Sequence, residues 1–295
     1  TTSGTTSTSG TTRSRDTGVV LINVLVILSI ASIVVFLMLS SQEVSLQRAQ
    51  AMSAATAAEA LARGGEASAV TALRRDMEDA PETDNYAESW AQVAQSEADL
   101  ATGRFSVTIR DAQAKLNLTR LASGGLSEVA TLLRVLDALD VDKAQGARMA
   151  AEIAARPGLS SLSDLRSVAP ATVKALSPYL DFLPPLATLN INTADPVLLT
   201  AVLNNRSAAL RLERMRANAG LLTSDDLTRV GAVLPPMAGF TSSNFDTEVL
   251  AEVDGITLRL NSRITRGQDY RGKHVGVSRR SYGVPGNTVP AIPPR

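Results

Sequence analysis

A run of apolar residues near the N-terminus constrains this chain more than any other feature. Between Val19 and Leu39 only a few small or polar residues interrupt the run, and no charged residue occurs between Asp16 and Glu43. As a helix rising about 1.5 Å per residue, the run covers roughly 30 Å, the thickness of one bilayer core. A secretory signal has an apolar region of about 7–15 residues, so this longer run predicts a single-pass membrane anchor.

The charges that flank this anchor predict its orientation. Arg13 and Arg15 precede it, and Glu43 is the first charged residue after it. Because positively charged flanks stay in the cytoplasm, we expect the N-terminus inside and everything beyond about residue 40 outside. The segment from Gln42 to Asp79 has no proline and many alanines, which predicts that the helix continues past the anchor.

Strand patterns lie on both sides of a central helical region. The stretch GRFSVTIRD starts at Gly103 and alternates apolar with polar residues, and a short link joins it to AKLNL, which ends at Leu118. This pair predicts a hairpin. A second hairpin is predicted after Phe245, where Asp254-Gly255 separates two alternating runs. Together these patterns predict one sheet domain that a helical insertion interrupts.

The helical region contains an internal duplication. The segments GLSSLSDLRSV and GLLTSDDLTRV start at Gly158 and Gly220, 62 residues apart, and align without gaps. Each follows a predicted helix, so we expect the glycine to end that helix at positive φ. A serine or threonine then caps the next helix, with Asp164 or Asp226 near its first turn. We therefore expect two related helix-turn-helix-like repeats.

Composition excludes several common kinds of chemistry. The chain has no cysteine, which excludes disulfides, thiolate metal sites and a cysteine nucleophile. Its one histidine, His274, gives a histidine triad or a multi-histidine metal site almost no material. The acidic residues of 82–99 offer oxygen ligands for a hard cation but match no calcium-loop spacing, so a solvated acidic face is the preferred interpretation. We expect no enzymatic activity.

Two other classes of protein stay open as alternatives. The duplicated turns also fit the helix-hairpin-helix unit, in which turn amides meet DNA phosphates and nearby cations supply affinity. Lysine is scarce across the insertion, with Lys143 and Lys174 only, and the net charge of the chain is zero. A membrane-anchored, competence-like DNA-binding protein is therefore the second hypothesis. The third is a signal-anchored periplasmic enzyme that uses His274 as its general base.

The order of these features resembles the type II secretion system minor pseudopilin K family. The resemblance covers the chain from Gly18 to about Arg280, and its most specific part is LNINTADPVLL, which starts at Leu189. Its other motifs are the basic leader, the apolar helix, KLNLTRL, LSDLRSVAP and SSNFDTEVLAEVDGITLRLNSRI. The resemblance implies an α+β fold with a long N-terminal pilin-like transmembrane helix and an antiparallel sheet domain. A large all-helical insertion with the two repeats interrupts that domain.

The resemblance also implies roles for three residues near the N-terminus. Prepilin-type leaders are cut after a glycine by an inner-membrane peptidase, which maps to the Gly18–Val19 bond, and the new terminus at Val19 is then N-methylated. Major pilins carry a glutamate at the fifth mature position, where this chain has Asn23. K-type subunits characteristically lack that glutamate, so Asn23 marks the subunit type; a tolerated polar residue is the alternative interpretation.

The implied function is mechanical. A K-type subunit caps the tip of the pseudopilus and helps to initiate its assembly, for export of folded proteins across the outer membrane. The implied partners are the I-, J- and H-type minor pseudopilins, the major pseudopilin, the prepilin peptidase and the inner-membrane assembly platform, without nucleic acid. Calcium is implied for the globular domain, but the sequence assigns no ligands, so the metal site stays unknown.

The expected location is the inner membrane, crossed once, with the N-terminus in the cytoplasm and the globular domain in the periplasm, and the pseudopilus tip after assembly. The expected organisation is a cleaved leader with a disordered Thr/Ser/Gly tract (1–18), an N-terminal helix (19–79, transmembrane over 19–39), a discontinuous pilin-like α/β domain (80–118 and 241–282), a helical insertion (119–240, repeats near 142–180 and 206–235) and a disordered proline-rich tail (283–295).

Overall fold

The computed structural model describes residue 4 and residues 14–80, 82–92, 95–100, 103–122, 125–270 and 272–283, and for 14–19 and 95–100 it describes the backbone. The predicted N-terminal tract, apart from residue 4, and the predicted tail beyond Gly283 lie outside these residues. The chain divides into two compact units, with the boundary between Ala54 and Ala55.

The first unit holds the apolar part of helix α1 (Ser14–Asp79). Its side chains from Val20 to Leu39 are all exposed. The hydroxyl groups of Ser29 and Ser32 each donate to the carbonyl oxygen four residues earlier, so the helix itself satisfies them. Among the described residues, this helix is long and apolar enough to cross a membrane.

The second unit combines the rest of α1 with short helices and strands. In chain order these are α2 (Ser89–Gln92), β1 (Gln95–Leu100), β2 (Gly103–Asp111), β3 (Leu116–Asn117), α3 (Thr119–Ala122), α4 (Leu126–Ala138), α5 (Lys143–Ala155), α6 (Pro170–Leu176), β4 (Leu180–Asp181), β5 (Leu189–Asn190), α7 (Pro196–Leu203), α8 (Arg206–Ala219), α9 (Ser224–Val230), β6 (Ala238–Gly239), β7 (Asn244–Val253), β8 (Ile256–Asp269) and β9 (Gly272–Gly283).

A five-stranded sheet forms the base of this unit. Its order is β1-β2-β7-β8-β9, and every neighbouring pair is antiparallel. The chain leaves the sheet after β2 and returns at β7, which confirms the predicted α+β fold with an interrupted sheet. The predicted turn at Asp254-Gly255 joins β7 to β8, with φ values of 48° and 78°. Positive φ at both positions is what a two-residue hairpin turn of this type requires.

The predicted hairpin of 103–118 is wrong. Strand β2 ends at Asp111, whose carboxylate accepts a hydrogen bond from the N–H of Gln113 and caps a 3₁₀ turn over Ala112–Ala114. Beyond that turn, β3 pairs in parallel with β4, whereas β2 pairs with β1 and β7. An alternating pattern identifies a strand, but it does not identify the partner of that strand.

Beyond Ala55, α1 packs on one face of the sheet through small residues. Its buried side carries Ala62, Gly65, Ala69 and Leu73, which recur every three or four residues as one helix face requires. The opposing sheet side chains are Val107, Phe245, Val249, Leu260 and Ile264. Trp90 is fully buried and meets the Phe245 ring edge-on, with 5.1 Å between ring centroids.

The insertion consists of two units of the same construction. In each, a two-residue strand is followed by helices and a second two-residue strand that pairs with the first in parallel: β3 with β4, and β5 with β6. The bonds match, because Leu116 N–H donates to Tyr179 O at 2.9 Å and Leu189 N–H donates to Met237 O at 2.8 Å. One apolar core runs through both units of the insertion.

Candidate functional site

The predicted processing site lies in α1. The backbone at Gly18 and Val19 is helical, and Asn23 is exposed on the same helix between Ile22 and Val24. Asn23 is therefore a polar side chain on the surface of the helix that is apolar enough to cross a membrane.

The motif LNINTADPVLL lies where the insertion meets the sheet domain. The Asp111 carboxylate, at the end of β2, is buried and accepts hydrogen bonds from Thr193 Oγ1 at 2.5 Å, Ser242 Oγ at 2.6 Å and Asn190 Nδ2 at 2.9 Å. Burial raises the pKa of Asp111, and these donors oppose that shift. The motif thus joins the insertion to the end of β2, which precedes the insertion, and to the segment that leads into β7, which follows it.

The two asparagines of the related motifs LNL and LNI have matching positions. Asn117 Oδ1 accepts the N–H of Thr119, and Asn190 Oδ1 accepts the N–H of Asn192, so each forms the same local turn. Their amide groups differ in partner. Asn117 donates to carbonyl oxygens of the insertion itself, at Pro184 and Ala187, whereas Asn190 donates across to the sheet domain.

A buried ion-pair network sits beside this junction. Arg266 of β8 donates to Asp76 Oδ2 at 2.6 Å, to Asp84 Oδ1, and through Nε to Ser242 O at 2.9 Å. Its guanidinium lies 4.8 Å from the centroid of the Phe245 ring. Burial raises the pKa of Asp84 to about 7, against the opposing effect of the Arg266 charge and the Ser242 N–H. Burial also raises the pKa of Asp76.

The interpretation of 82–99 as a solvated acidic face is therefore wrong for Asp84, which is fully buried. Glu88 is also engaged, since it accepts hydrogen bonds from Trp90 Nε1 at 2.7 Å and Asn85 Nδ2 at 2.6 Å. No sequence signal linked these acidic residues to Arg266, which follows Asp84 by 182 positions. The side chains of Glu97 and Asp99 lie outside the described residues.

Asp76, Asp84 and Glu88 place carboxylate oxygens within 4.8 Å of one another, a spacing that could hold a metal ion. The groups around these carboxylates do not fit a metal ion. Arg266 already binds Asp76 and Asp84, and a divalent cation between those carboxylates would lie against the guanidinium. In the part of the chain that the structure describes, this cluster is an internal ion-pair network rather than a calcium site.

The duplicated turns place their four predicted residues in matching positions. Gly158 has a φ of 96° and Gly220 a φ of 84°. Gly220 ends α8 as predicted, but the prediction is wrong for Gly158, because α5 already ends at Ala155 with Arg156 as its cap. Asp164 forms a capping box with Ser161, and Asp226 forms one with Thr223. The first copy continues as a 3₁₀ turn over Leu162–Asp164, whereas the second continues as helix α9. His274 is exposed on β9, opposite Gly267.

Comparison with known proteins gives one consistent answer. No protein-family model matches the chain. Type II secretion system protein K from Pseudomonas aeruginosa is 26% identical, in an alignment that covers 95% of this chain and 96% of that protein. A chain in the crystal structure of the GspK-GspI-GspJ complex from the enterotoxigenic Escherichia coli type 2 secretion system superposes with a TM-score of 0.63. It is 20% identical, and the match covers 80% of this chain and 99% of that chain, which shows the shared fold. The resemblance that the sequence motifs predict is confirmed: along nearly its whole length, this chain resembles type II secretion system protein K.

Proposed function

We propose that the chain is a minor pseudopilin of a type II secretion system, which caps the tip of the pseudopilus and helps to initiate its assembly. The observation that carries this proposal is the similarity to protein K over 95% of the chain, from the apolar helix to the last strands. Its role is structural, and we assign no catalytic residue.

The apolar part of α1 has two uses in this proposal. It first anchors the chain in the inner membrane, with the N-terminus in the cytoplasm and the remainder in the periplasm. The prepilin peptidase cuts the Gly18–Val19 bond, and Val19 becomes the N-methylated end. The exposed apolar side chains from Val20 to Leu39 then pack against the helices of neighbouring subunits when the chain leaves the bilayer.

A tip position is consistent with Asn23 and with the insertion. A glutamate at the fifth mature position of a pilin neutralises the terminal amine of a neighbouring subunit, and Asn23 carries no charge. The insertion, whose two units are set between β2 and β7, adds bulk that a subunit inside a filament could not accommodate. We propose that this bulk prevents addition of further subunits above the tip.

The expected partners are the I- and J-type minor pseudopilins, because the similar fold comes from a GspK-GspI-GspJ complex. The H-type and major pseudopilins and the inner-membrane assembly platform are expected contacts within the assembled system.

Co-expression of the full-length chain with the I- and J-type subunits of its own system, followed by size-exclusion chromatography with light scattering in detergent, tests this proposal. We expect a complex with one copy of each subunit. As a control, residues 14–54 are exchanged for an unrelated single-pass helix. This exchange separates the contribution of the apolar helix from that of residues 55–295. Elution of the wild-type chain alone, with both partners present and folded, contradicts the proposal.

A further inference from the structure

The two duplicated turns have the same construction but different surroundings. In the second copy, a side-chain carbon added at Gly220 would lie 3.5 Å from Ala87, in ordinary contact with the loop that precedes α2. Leu222 is fully buried, and its N–H donates to Asn192 Oδ1 at 2.6 Å. The second turn is therefore fastened to the body of the protein by apolar contact and by a buried hydrogen bond.

The first turn has no such cover among the described residues. Nothing lies within 4 Å of the corresponding position on Gly158. Ser160, which corresponds to Leu222, is exposed, and its N–H donates at 3.4 Å to Asp164 of the same turn. An open cleft of about 480 Å³ takes the place of the missing contact, and its lining includes Arg156, Gly158, Leu159, Ser163, Asp164 and Arg166.

The backbone of this cleft is held in place by Glu152 of α5. Its carboxylate accepts the N–H groups of Arg166 at 2.9 Å and Ser167 at 2.8 Å, and it pairs with Arg156 at 2.5 Å. The Ser167 side chain, these N–H groups and Arg156 lower the pKa of Glu152 to about 2. The cleft is thus shaped without any partner molecule.

Among the charged residues that line the cleft, Arg166 is the one whose charge these contacts do not pair. Arg156 is engaged by Glu152 and by the Asp164 carbonyl oxygen, and the Asp164 carboxylate accepts the N–H groups of Ser160 and Ser161. The Arg166 side chain is exposed and has no hydrogen bond or ion pair with any described residue. A planar guanidinium at the rim of a formed cleft is suited to a carboxylate, which it can bind through two parallel hydrogen bonds.

We infer that this cleft, at the first duplicated turn, is a docking site for an acidic side chain on a neighbouring minor pseudopilin, with Arg166 as the contact residue. The inference rests on the proposed function for the identity of the neighbour. The second copy shows how such a turn is covered from within the chain, and the first copy leaves the equivalent surface to another subunit. A DNA strand is a poorer occupant, because it needs a row of cations, whereas Arg166 is a single cation at the rim of this cleft.

The test uses full-length variants in detergent, titrated against a labelled pair of I- and J-type subunits from the same system. Arg166→Glu should weaken binding about tenfold, and Arg166→Lys should weaken it less, because lysine keeps the positive charge but cannot form the two parallel hydrogen bonds. Arg214→Glu is the matched control, since Arg214 is exposed on α8 of the second repeat and its reversal changes the net charge equally. Raising NaCl from about 0.05 to about 0.3 M should weaken the wild type more than Arg166→Glu.

Each other outcome overturns the inference. If Arg166→Glu binds like the wild type, or if Arg214→Glu loses as much affinity, the cleft is not the docking site and the proposed function stands. If the wild-type chain does not bind the I–J pair at all, the proposed function fails, and the inference falls with it. If the wild type binds a short DNA duplex at moderate salt and Arg166→Glu does not, the cleft is a nucleic-acid site instead.

Discussion

At the scale of single residues, polar side chains fix how the insertion meets the sheet. Asp111 receives donors from both segments of the junction, and Arg266 brings Asp76 and Asp84 to the same place. A buried carboxylate is tolerated only when such partners replace its lost hydration. Through this network, Arg266 of β8 holds α1 and the loop before α2 together in the folded state.

The substitution Asp84→Asn tests this network. Asparagine offers one acceptor oxygen where Asp84 offers two, so either the Arg266 guanidinium or the Ser242 N–H loses its acceptor. We therefore expect the free energy of unfolding to fall by about 1–3 kcal/mol. Asp225→Asn is the control, because Asp225 is exposed in the first turn of α9. Urea unfolding of both variants in detergent, followed by circular dichroism, measures the difference. Equal stability of the two variants would contradict a structural role for Asp84.

The same variant should change how stability depends on pH. The pKa of Asp84 is about 7 in the folded chain and about 3.9 when unfolded, so between these values the folded state holds the proton and the unfolded state does not. Its contribution to stability is therefore complete below about pH 4 and is lost as the pH rises through about 7. Over that range, the unfolding free energy of the wild type should fall more steeply than that of Asp84→Asn, and parallel profiles would refute the raised pKa.

The network around Arg266 could not be predicted from the sequence, because its residues are far apart along the chain. The turn at Asp254-Gly255 is encoded by two adjacent residues that both accept positive φ, so the sequence predicts it directly. The pair of Asp84 and Arg266 is a contact between segments 182 positions apart, and neither residue carries a local signal for the other. The motif that starts at Leu189 was recognisable in sequence, but only the structure shows that the side chain of Asn190 in this motif donates a hydrogen bond to Asp111.

At the scale of elements, α1 approaches the sheet closely because it carries a glycine where it crosses β2 and β7. A side-chain carbon added at Gly65 would lie 2.7 Å from Val249 Cγ1 and 3.0 Å from Val107 Cγ2. At the adjacent Gly64 nothing lies within 4 Å. The Gly64-Gly65 pair, which weakens a helix in isolation, does not interrupt α1, because packing on the sheet outweighs helix propensity.

These two glycines provide a matched pair of substitutions. Gly65→Ala should destabilise the fold by about 1–3 kcal/mol, because the added methyl group overpacks the interface between helix and sheet. Gly64→Ala should stabilise it by about 0.5–1 kcal/mol, because alanine favours an exposed helical position without meeting any side chain. Thermal unfolding of the two single variants measures both effects. A shift of the same sign and size at both positions would contradict the close packing.

At the scale of the whole molecule, the sequence predicted the class of fold but not every strand pairing. Periodicity identified the apolar helix and the strands, and the order of motifs resembled one family. The two-residue strands that close each unit of the insertion were beyond such reasoning, because two residues carry no periodicity and their partners lie at the far end of each unit. In the function that we propose, a chain with this architecture is anchored in the membrane first and becomes part of a filament later.

Cleavage of the leader tests this account most directly. The full-length chain is co-expressed with the prepilin peptidase of its own system, and the product is analysed by N-terminal sequencing and intact mass. We predict a mature chain that begins at Val19, with a mass that includes one added methyl group, and no cleavage when Gly18 is changed to Val. A chain that stays uncut, or one that is cut near Ser40 after the apolar run, would contradict the identification as a pseudopilin.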